Sequence, residues 1–372
     1  MISERAALIA LNRVPRVGAA KVRSLERAFG ALEAAAEASP EQIAELCKDI
    51  GPHLAEEIAA ALRSDFAARE EERADRANVR LLTWLDAAYP DTLRDLASAP
   101  LCLYCAGDPG LLRRTQVAIV GTRAASVYGT EQAKRFAHRL AQAGIHVTSG
   151  LAEGIDTAAH EGALLAASEG SGRTLAAVGT ALDCLYPAGR KPLARDIARS
   201  GGLVLSEYPF GRHGDAKTFP QRNRLIAALS RATLIVETAA RGGTLITADF
   251  AQDFGRALYA LPGRADWPNF AGNHRLIREG AARLVTSPEH ILEDFGELDL
   301  RDPLALGEAP AAPLGLSDDE RRVWEAVGTD DCTLDQLADR TGLPLPALTA
   351  TVIALQMHRK LRPLPGGLLR RA

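Results

Sequence analysis

A doubly wound parallel α/β sheet is the fold class this chain predicts, and two observations carry that prediction. Short apolar strands recur at Val117–Val120, Ile145–Thr148, Leu175–Val178, Leu203–Leu205, Leu234–Val236 and Leu258–Leu261, with room for a helix between most of them. Such alternation is the signature of parallel strands buried on both faces. Each of these strands also ends in glycine or small polar residues: Gly121-Thr122-Arg123, Ser149-Gly150, Gly179-Thr180, Ser206-Glu207, Glu237-Thr238 and Pro262-Gly263. In an open parallel sheet those ends share one edge, where ligands bind.

The 372 residues suffice for two or three domains. Residues 1–80 are rich in Ala, Glu and Arg with helical periodicity, and read as a helical domain with a helix–hairpin–helix-like element. Val17-Gly18-Ala19-Ala20-Lys21 lies between two helical runs, as a phosphate-holding hairpin does, but the second hairpin glycine is missing. A small bundle used for packing or protein contacts is the alternative. Residues 81–295 form the Rossmann-like domain. Residues 296–316, rich in Pro, Ala and Gly, read as a linker. Residues 317–372 give helix, helix–turn–helix and two extended pieces about Gly366-Gly367, the winged-helix order. The tail from Leu355 to Ala372 holds five basic residues and no acid, so contact with DNA and contact with protein both stand.

Net charge is −3, which taken alone argues against a nucleic-acid binder. The distribution says otherwise. Residues 101–290 hold 22 Lys and Arg against 16 Asp and Glu, whereas residues 1–100 hold 13 against 17. Polyanion binding is therefore expected in the middle of the chain. The five cysteines are scattered, and the one CxxC, Cys102 and Cys105, sits in the apolar run Leu101–Ala106, where cysteine packs as a small hydrophobe. There is no secretory signal and no apolar run near membrane-spanning length, so the expectation is a soluble, cytoplasmic protein.

The most informative stretch is Thr218–Ala248. Arg222, Asn223 and Arg224 precede the apolar helical run Leu225–Leu229, and Arg241, Gly242, Gly243 and Thr244 follow the next strand at the start of another helix. Glycines let backbone approach a ligand, and free N–H groups at a helix start attract anions. A phosphate-bearing ligand is expected. Arg123, beyond the first strand, can take a phosphate bidentately or pair with a nearby carboxylate. Arg190 and Lys191 on the loop Tyr186–Leu193 are either solvated surface or part of the same edge. Asp156 and His160, four apart, read as a helix cap and a hydrogen-bonded neighbour. No Walker A, dinucleotide fingerprint, GxSxG or HExxH occurs, so no catalytic residue, metal or cofactor is expected.

In order, VAIVGTRAASVYG, TSGLAEGIDTAAHEGAL, YPAGRKPL, SEYPFG, FPQRNRLIAALS, IVETAARGGTLITADFA, ALPG and GNHRLIREGA resemble the DNA-processing protein A (DprA/Smf) family from Leu101 to about Leu292. The resemblance implies a helical, SAM-like (sterile-alpha-motif-like) N-terminal domain and a winged-helix-like C-terminal domain. It also implies a single-stranded DNA binder that dimerises, protects incoming strands in natural transformation and helps load the recombinase RecA. It implies a DNA pocket of Arg123, Ser149, Gly150, Arg190, Lys191, Arg222, Asn223 and Arg224, joined by Arg241, Gly242 and Gly243, with dimerisation through Gly272–Val285. Arg190 stands where the family has asparagine, and Arg241-Gly242-Gly243-Thr244 replaces a Lys-Ser-Gly-Ser turn. The rival is a nucleotide-processing enzyme of phosphoribohydrolase type, which shares a Gly-Gly-Thr turn and would use Glu237 or a nearby carboxylate on the ribose.

Overall fold

In the computed structural model, residues 2–166, 172–298, 316–327, 332–358, 360–364 and 368–371 are described. The chain divides into two compact units, 1–294 and 295–372. The first opens with six helices, α1 (Glu4–Asn12), α2 (Ala19–Phe29), α3 (Leu32–Glu37), α4 (Pro40–Leu46), α5 (Pro52–Leu62) and α6 (Phe66–Arg76). There follow β1 (Arg80–Thr83), α7 (Asp91–Arg94), β2 (Cys102–Gly107), β3 (Gln116–Val120), α8 (Val127–Gln142), β4 (His146–Ser149), α9 (Ile155–Ala166) and β5 (Thr174–Ala177). Next come α10 (Lys191–Arg199), β6 (Leu203–Ser206), α11 (Thr218–Leu229), β7 (Ala232–Ile235), α12 (Gly243–Asp253), β8 (Ala257–Ala260), α13 (Ala271–Arg278), β9 (Arg283–Leu284) and α14 (Pro288–Leu298).

All nine strands join one sheet in the order β1-β2-β6-β5-β4-β3-β7-β8-β9. From β6 to β9 every pairing is parallel, and the six strands read from the sequence all lie there. Beyond β6 the sheet continues through β2 and β1, both paired antiparallel. Cys102 and Cys105 are wholly buried in β2, and burial pushes both thiols up. β4, β5, β6 and β7 are buried at every position, as strands covered on both faces must be.

The helices of residues 1–80 share a continuous apolar core with the antiparallel edge, in which Leu8, Ile58 and Ala74 pack with Leu81, Cys102 and Tyr104. Glu70 of α6 is buried in that junction. Its carboxylate accepts from Tyr104 Oη at 3.0 Å and from the Phe210 amide at 2.7 Å, which satisfies the charge. At the hairpin between α1 and α2, Gly18 caps α2 and Lys21 donates to the Asp49 carbonyl at 2.8 Å.

The second unit holds α15 (Asp318–Val327), β10 (Cys332–Thr333), α16 (Leu334–Thr341), α17 (Leu345–Met357), β11 (Leu361–Leu364) and β12 (Leu368–Arg371). Its strands pair antiparallel in the order β10-β12-β11, giving the winged-helix arrangement. Thr333 and Gln336 close a capping box on α16, and Gly342, at φ 66°, ends it. Most of the expected linker (residues 299–315) and the Gly366-Gly367 turn lie outside the described residues.

Candidate nucleic-acid interface

The chain leaves β3 toward β4, β5 and β6 on one side, and from β7 runs toward β8 and β9 on the other. Between β3 and β7 the connections therefore diverge, and the crevice at their carboxyl ends is the place such a sheet offers a ligand. A cavity of about 560 Å³ opens there. Its walls come from Gly121, Thr122 and Arg123 after β3, Asp156 of α9, Phe219, Arg222 and Asn223 of α11, and Thr238 to Thr244 around the start of α12.

Close packing shapes the walls. A Cβ on Gly121 would lie 2.5 Å from Ile155 Cγ1, and one on Gly150 would lie 2.3 Å from Arg222 Nη1. Gly243 is different, because a Cβ there meets nothing within 4 Å. The backbone at the start of α12 thus borders open space on the cavity lining, and among the described residues no side chain caps it, as an anion-accepting helix start requires. Asn223 holds this turn by donating to the Gly243 carbonyl at 3.2 Å.

Arg123 is exposed at the cavity rim and pairs with no carboxylate among the described residues. Its guanidinium lies 5.8 Å from the Phe219 ring centroid, and Phe219 is 5.8 Å from the Tyr186 ring. Arg241 is also exposed on the lining. Two cations, open helix-start amides and an aromatic floor suit phosphate oxygens and base faces together.

One expectation needs correction. Arg222, Asn223 and Arg224 do not precede a helix; they lie within α11, which begins at Thr218. Asp215 Oδ1 accepts from the Lys217 and Thr218 amides at 2.8 and 2.9 Å, and Pro220 is tolerated in the first turn. Successive helical residues point about 100° apart, so the three side chains diverge. Arg222, 5% exposed, turns inward and donates to the carbonyls of Gly150 and Ala177. Arg224 turns toward β6 and pairs with Glu207. Asn223 faces α12.

Of the remaining candidates, Ser149 is buried, donates to the Ile119 carbonyl at 2.7 Å and is not part of the cavity lining. Gly150 supports the wall from behind through its contacts with Arg222 and Asp156. Arg190 and Lys191, expected together on a loop, instead form the start of α10: Arg190 is its N-cap and Lys191 its first residue, half-buried and exposed respectively and outside the cavity lining.

Buried polar groups brace the edge. Asp156 accepts from the Gly150 and Ala152 amides at 3.1 and 3.4 Å. Burial raises its pKa, and the Arg222 charge opposes that shift. His160 is fully buried with Nδ1 2.7 Å from Thr174 Oγ1, and burial holds its pKa down to about 3, so it is neutral. Glu237 is fully buried, and its carboxylate accepts from the Ser126 amide at 3.1 Å, from Ser126 Oγ at 2.6 Å and from Asn269. Asn273, which the sequence reading did not single out, accepts from the Thr238 amide at 2.8 Å and donates to Leu261 O at 2.9 Å. It ties the ends of β7 and β8 together.

The fold and site define a class: a Rossmann-like α/β protein with a cationic crevice at its switch point and a winged-helix unit. Residues 80–296 match the family described as DNA recombination-mediator protein A, and residues 307–367 match the DprA winged helix domain. The chain belongs to the DprA/Smf family. It is 36% identical to protein Smf of Escherichia coli, over 76% of this chain and 75% of that one. A putative DNA processing protein DprA of Mycobacterium tuberculosis is also 36% identical, over 93% of this chain and 88% of its own. The X-ray structure of DprA from Streptococcus pneumoniae superimposes with a TM-score of 0.68 at 31% identity, covering 79% of this chain and 99% of that one. DprA from Helicobacter pylori, whose structure describes a single-stranded DNA binding mode, matches with a TM-score of 0.53 at 30% identity, covering 59% and 96%.

Proposed function

We propose that this protein binds single-stranded DNA without chemical turnover, protects it, and helps load RecA onto it in recombination and natural transformation. The observation that carries this reading is the cavity at the switch point, with Arg123 and Arg241 exposed beside the open helix start at Gly243. These groups neutralise phosphates and position a backbone, and none of them reads a base edge. A cytoplasmic homodimer is part of the proposal, with Gly272–Val285 as its contact; Leu284 in that segment is 46% exposed. Arg190 and Lys191 would extend the cationic edge on the β5 side.

The rival enzyme needs a carboxylate free for a ribose. Glu237 instead accepts hydrogen bonds from Ser126 and Asn269 in full burial, which supports the non-enzymatic reading. Fluorescence anisotropy with one mixed-sequence oligonucleotide, as single strand and as duplex at two salt concentrations, tests the proposal. Tight, salt-weakened binding that prefers the single strand is expected. Absence of binding at low salt, with release of base from a nucleoside monophosphate, would overturn it.

A further inference from the structure

A second aromatic cluster, separate from the Phe219–Tyr186 pair, joins the start of α8 to the segment between β8 and α13. Phe270, fully buried, is its floor. Tyr128 lies 5.9 Å from the Phe270 ring and Trp267 lies 6.1 Å from it. Both remain partly open to solvent, and the neighbouring Val127 is 76% exposed. The Arg264 guanidinium stands 5.4 Å from the Trp267 ring centroid, and its charge is answered by Asp266 at 2.9 Å. Gly263 lets this cluster close, because a Cβ there would fall 2.1 Å from Phe270 Cγ.

This surface is joined to the cavity by a short, rigid path. The segment Thr122–Tyr128 runs from the cavity rim to the cluster. Glu237 ties this segment to the loop that carries Trp267 by accepting from Ser126 at the start of α8 and from Asn269, two residues after Trp267. We propose that Trp267 and Tyr128 form a base-stacking subsite, which receives nucleobases of the same single strand whose phosphates occupy the cavity. The inference rests on the reading given under Proposed function.

The chemistry favours nucleobases as the occupant. With Arg264 already paired, the cluster adds ring faces rather than net charge, and stacking on ring faces is indifferent to base identity. Residues 122–128 link this surface in sequence to the cationic crevice, where Phe219 offers a ring to a base and the stack needs further ring faces to continue. From Tyr186 beyond β5 to Trp267 beyond β8 is four strand spacings, roughly 19 Å. At about 3.4 Å per stacked nucleotide that is a path for about five or six residues of one strand.

The test compares dT20, dT4 and a dT20 carrying abasic positions outside a central dT4. Trp267→Ala should weaken dT20 binding about tenfold, the size of one lost stack, and leave dT4 unchanged. The wild-type protein should bind the abasic strand as weakly as Trp267→Ala binds dT20. Trp267→Phe keeps a ring and protects the fold. It should retain affinity and lose most of the tryptophan quenching by dT20, since the chain has only three tryptophans. Equal dT20 affinity for wild type and Trp267→Ala, with equal quenching for wild type and Trp267→Phe, would overturn the subsite. So would a Trp267→Ala protein whose only change is its oligomeric state, which would make the cluster an interface between copies. Failure of the wild type to bind any of the strands would instead sink the single-strand reading itself.

Discussion

The carboxyl edge of the large sheet and the helix α17 of the second unit occupy equivalent roles in their folds, yet they carry opposite chemistry. At the sheet edge, charged residues crowd one crevice and are sorted by depth. Asp156 and Arg222 are buried and brace the wall, while Arg123 and Arg241 stay exposed. Helix α17 holds the position that enters a DNA groove in winged-helix readers. Between Leu345 and Met357 it has no charged residue, and Leu345, Ile353 and Met357 are 54, 51 and 79% exposed. A winged-helix fold supplies a shape; phosphate recognition still needs cations at the right places.

The comparison breaks most visibly if the braces are removed. Arg222→Met leaves Asp156 as a lone buried carboxylate and should cost about 3–5 kcal/mol. Urea unfolding would show it, and adding Asp156→Leu should recover part of the loss. Next in size is an acid effect. His160 and His146 are held at about 3 and about 4 by burial, against 6.5 for the free side chain. Their contribution is complete above pH 6.5 and drains away as pH falls toward those values, because the unfolded chain takes up protons first. Each should cost about 2 kcal/mol between pH 6.5 and 4.5. In His160→Gln the acid slope of stability, from urea midpoints across that range, should shrink by about half of this paired contribution.

Two further substitutions separate binding from bracing at the same edge. Arg123→Ala should leave stability within about 0.5 kcal/mol and weaken single-strand binding by about 1.5–3 kcal/mol. One fewer phosphate contact should also flatten the log–log salt dependence by about 0.7. Gly243→Ala places its methyl in open space. Thermal stability should hold, while affinity falls by about 1 kcal/mol as one backbone approach is blocked. Anisotropy titrations at two salts read both.

How far the sequence anticipates this picture depends on the range of the interactions involved. The six parallel strands are legible because burial on both faces demands uninterrupted apolar runs. β9 is two exposed residues, and nothing in its local pattern marks it. The antiparallel strand β2 hides in an apolar run whose pairing with β6 is set about a hundred residues later. At the site, Arg123 and the Arg241–Gly243 turn can be located from sequence because each lies on the connection from a parallel strand to its following helix. Arg222 and Arg224 are misplaced by local reading, since α11 already starts at Thr218, just past the turn that Asp215 closes, and the partners are Gly150, Ala177 and Glu207. Glu237 and Asn273 owe their roles to partners on other elements, and Phe219 owes its place to Tyr186 and Arg123.

The smallest expected effect sharpens the contrast from the other side. Ile353→Lys adds a cation to the exposed face of α17, at a site where an apolar side chain is already 51% in water. A solvent-facing replacement of this kind should change stability by no more than about 0.5 kcal/mol. If strand binding is confined to the sheet edge, dT20 affinity and its salt dependence should match the wild type. A nearby phosphate would instead respond to the new charge: affinity would rise at low salt, and the log–log slope would steepen by about 0.7 for one added contact. That outcome would place α17 along the strand and erase the division between a cationic edge and a neutral helix. An unchanged titration leaves the exposed apolar face of α17 as a surface with no part in holding phosphate.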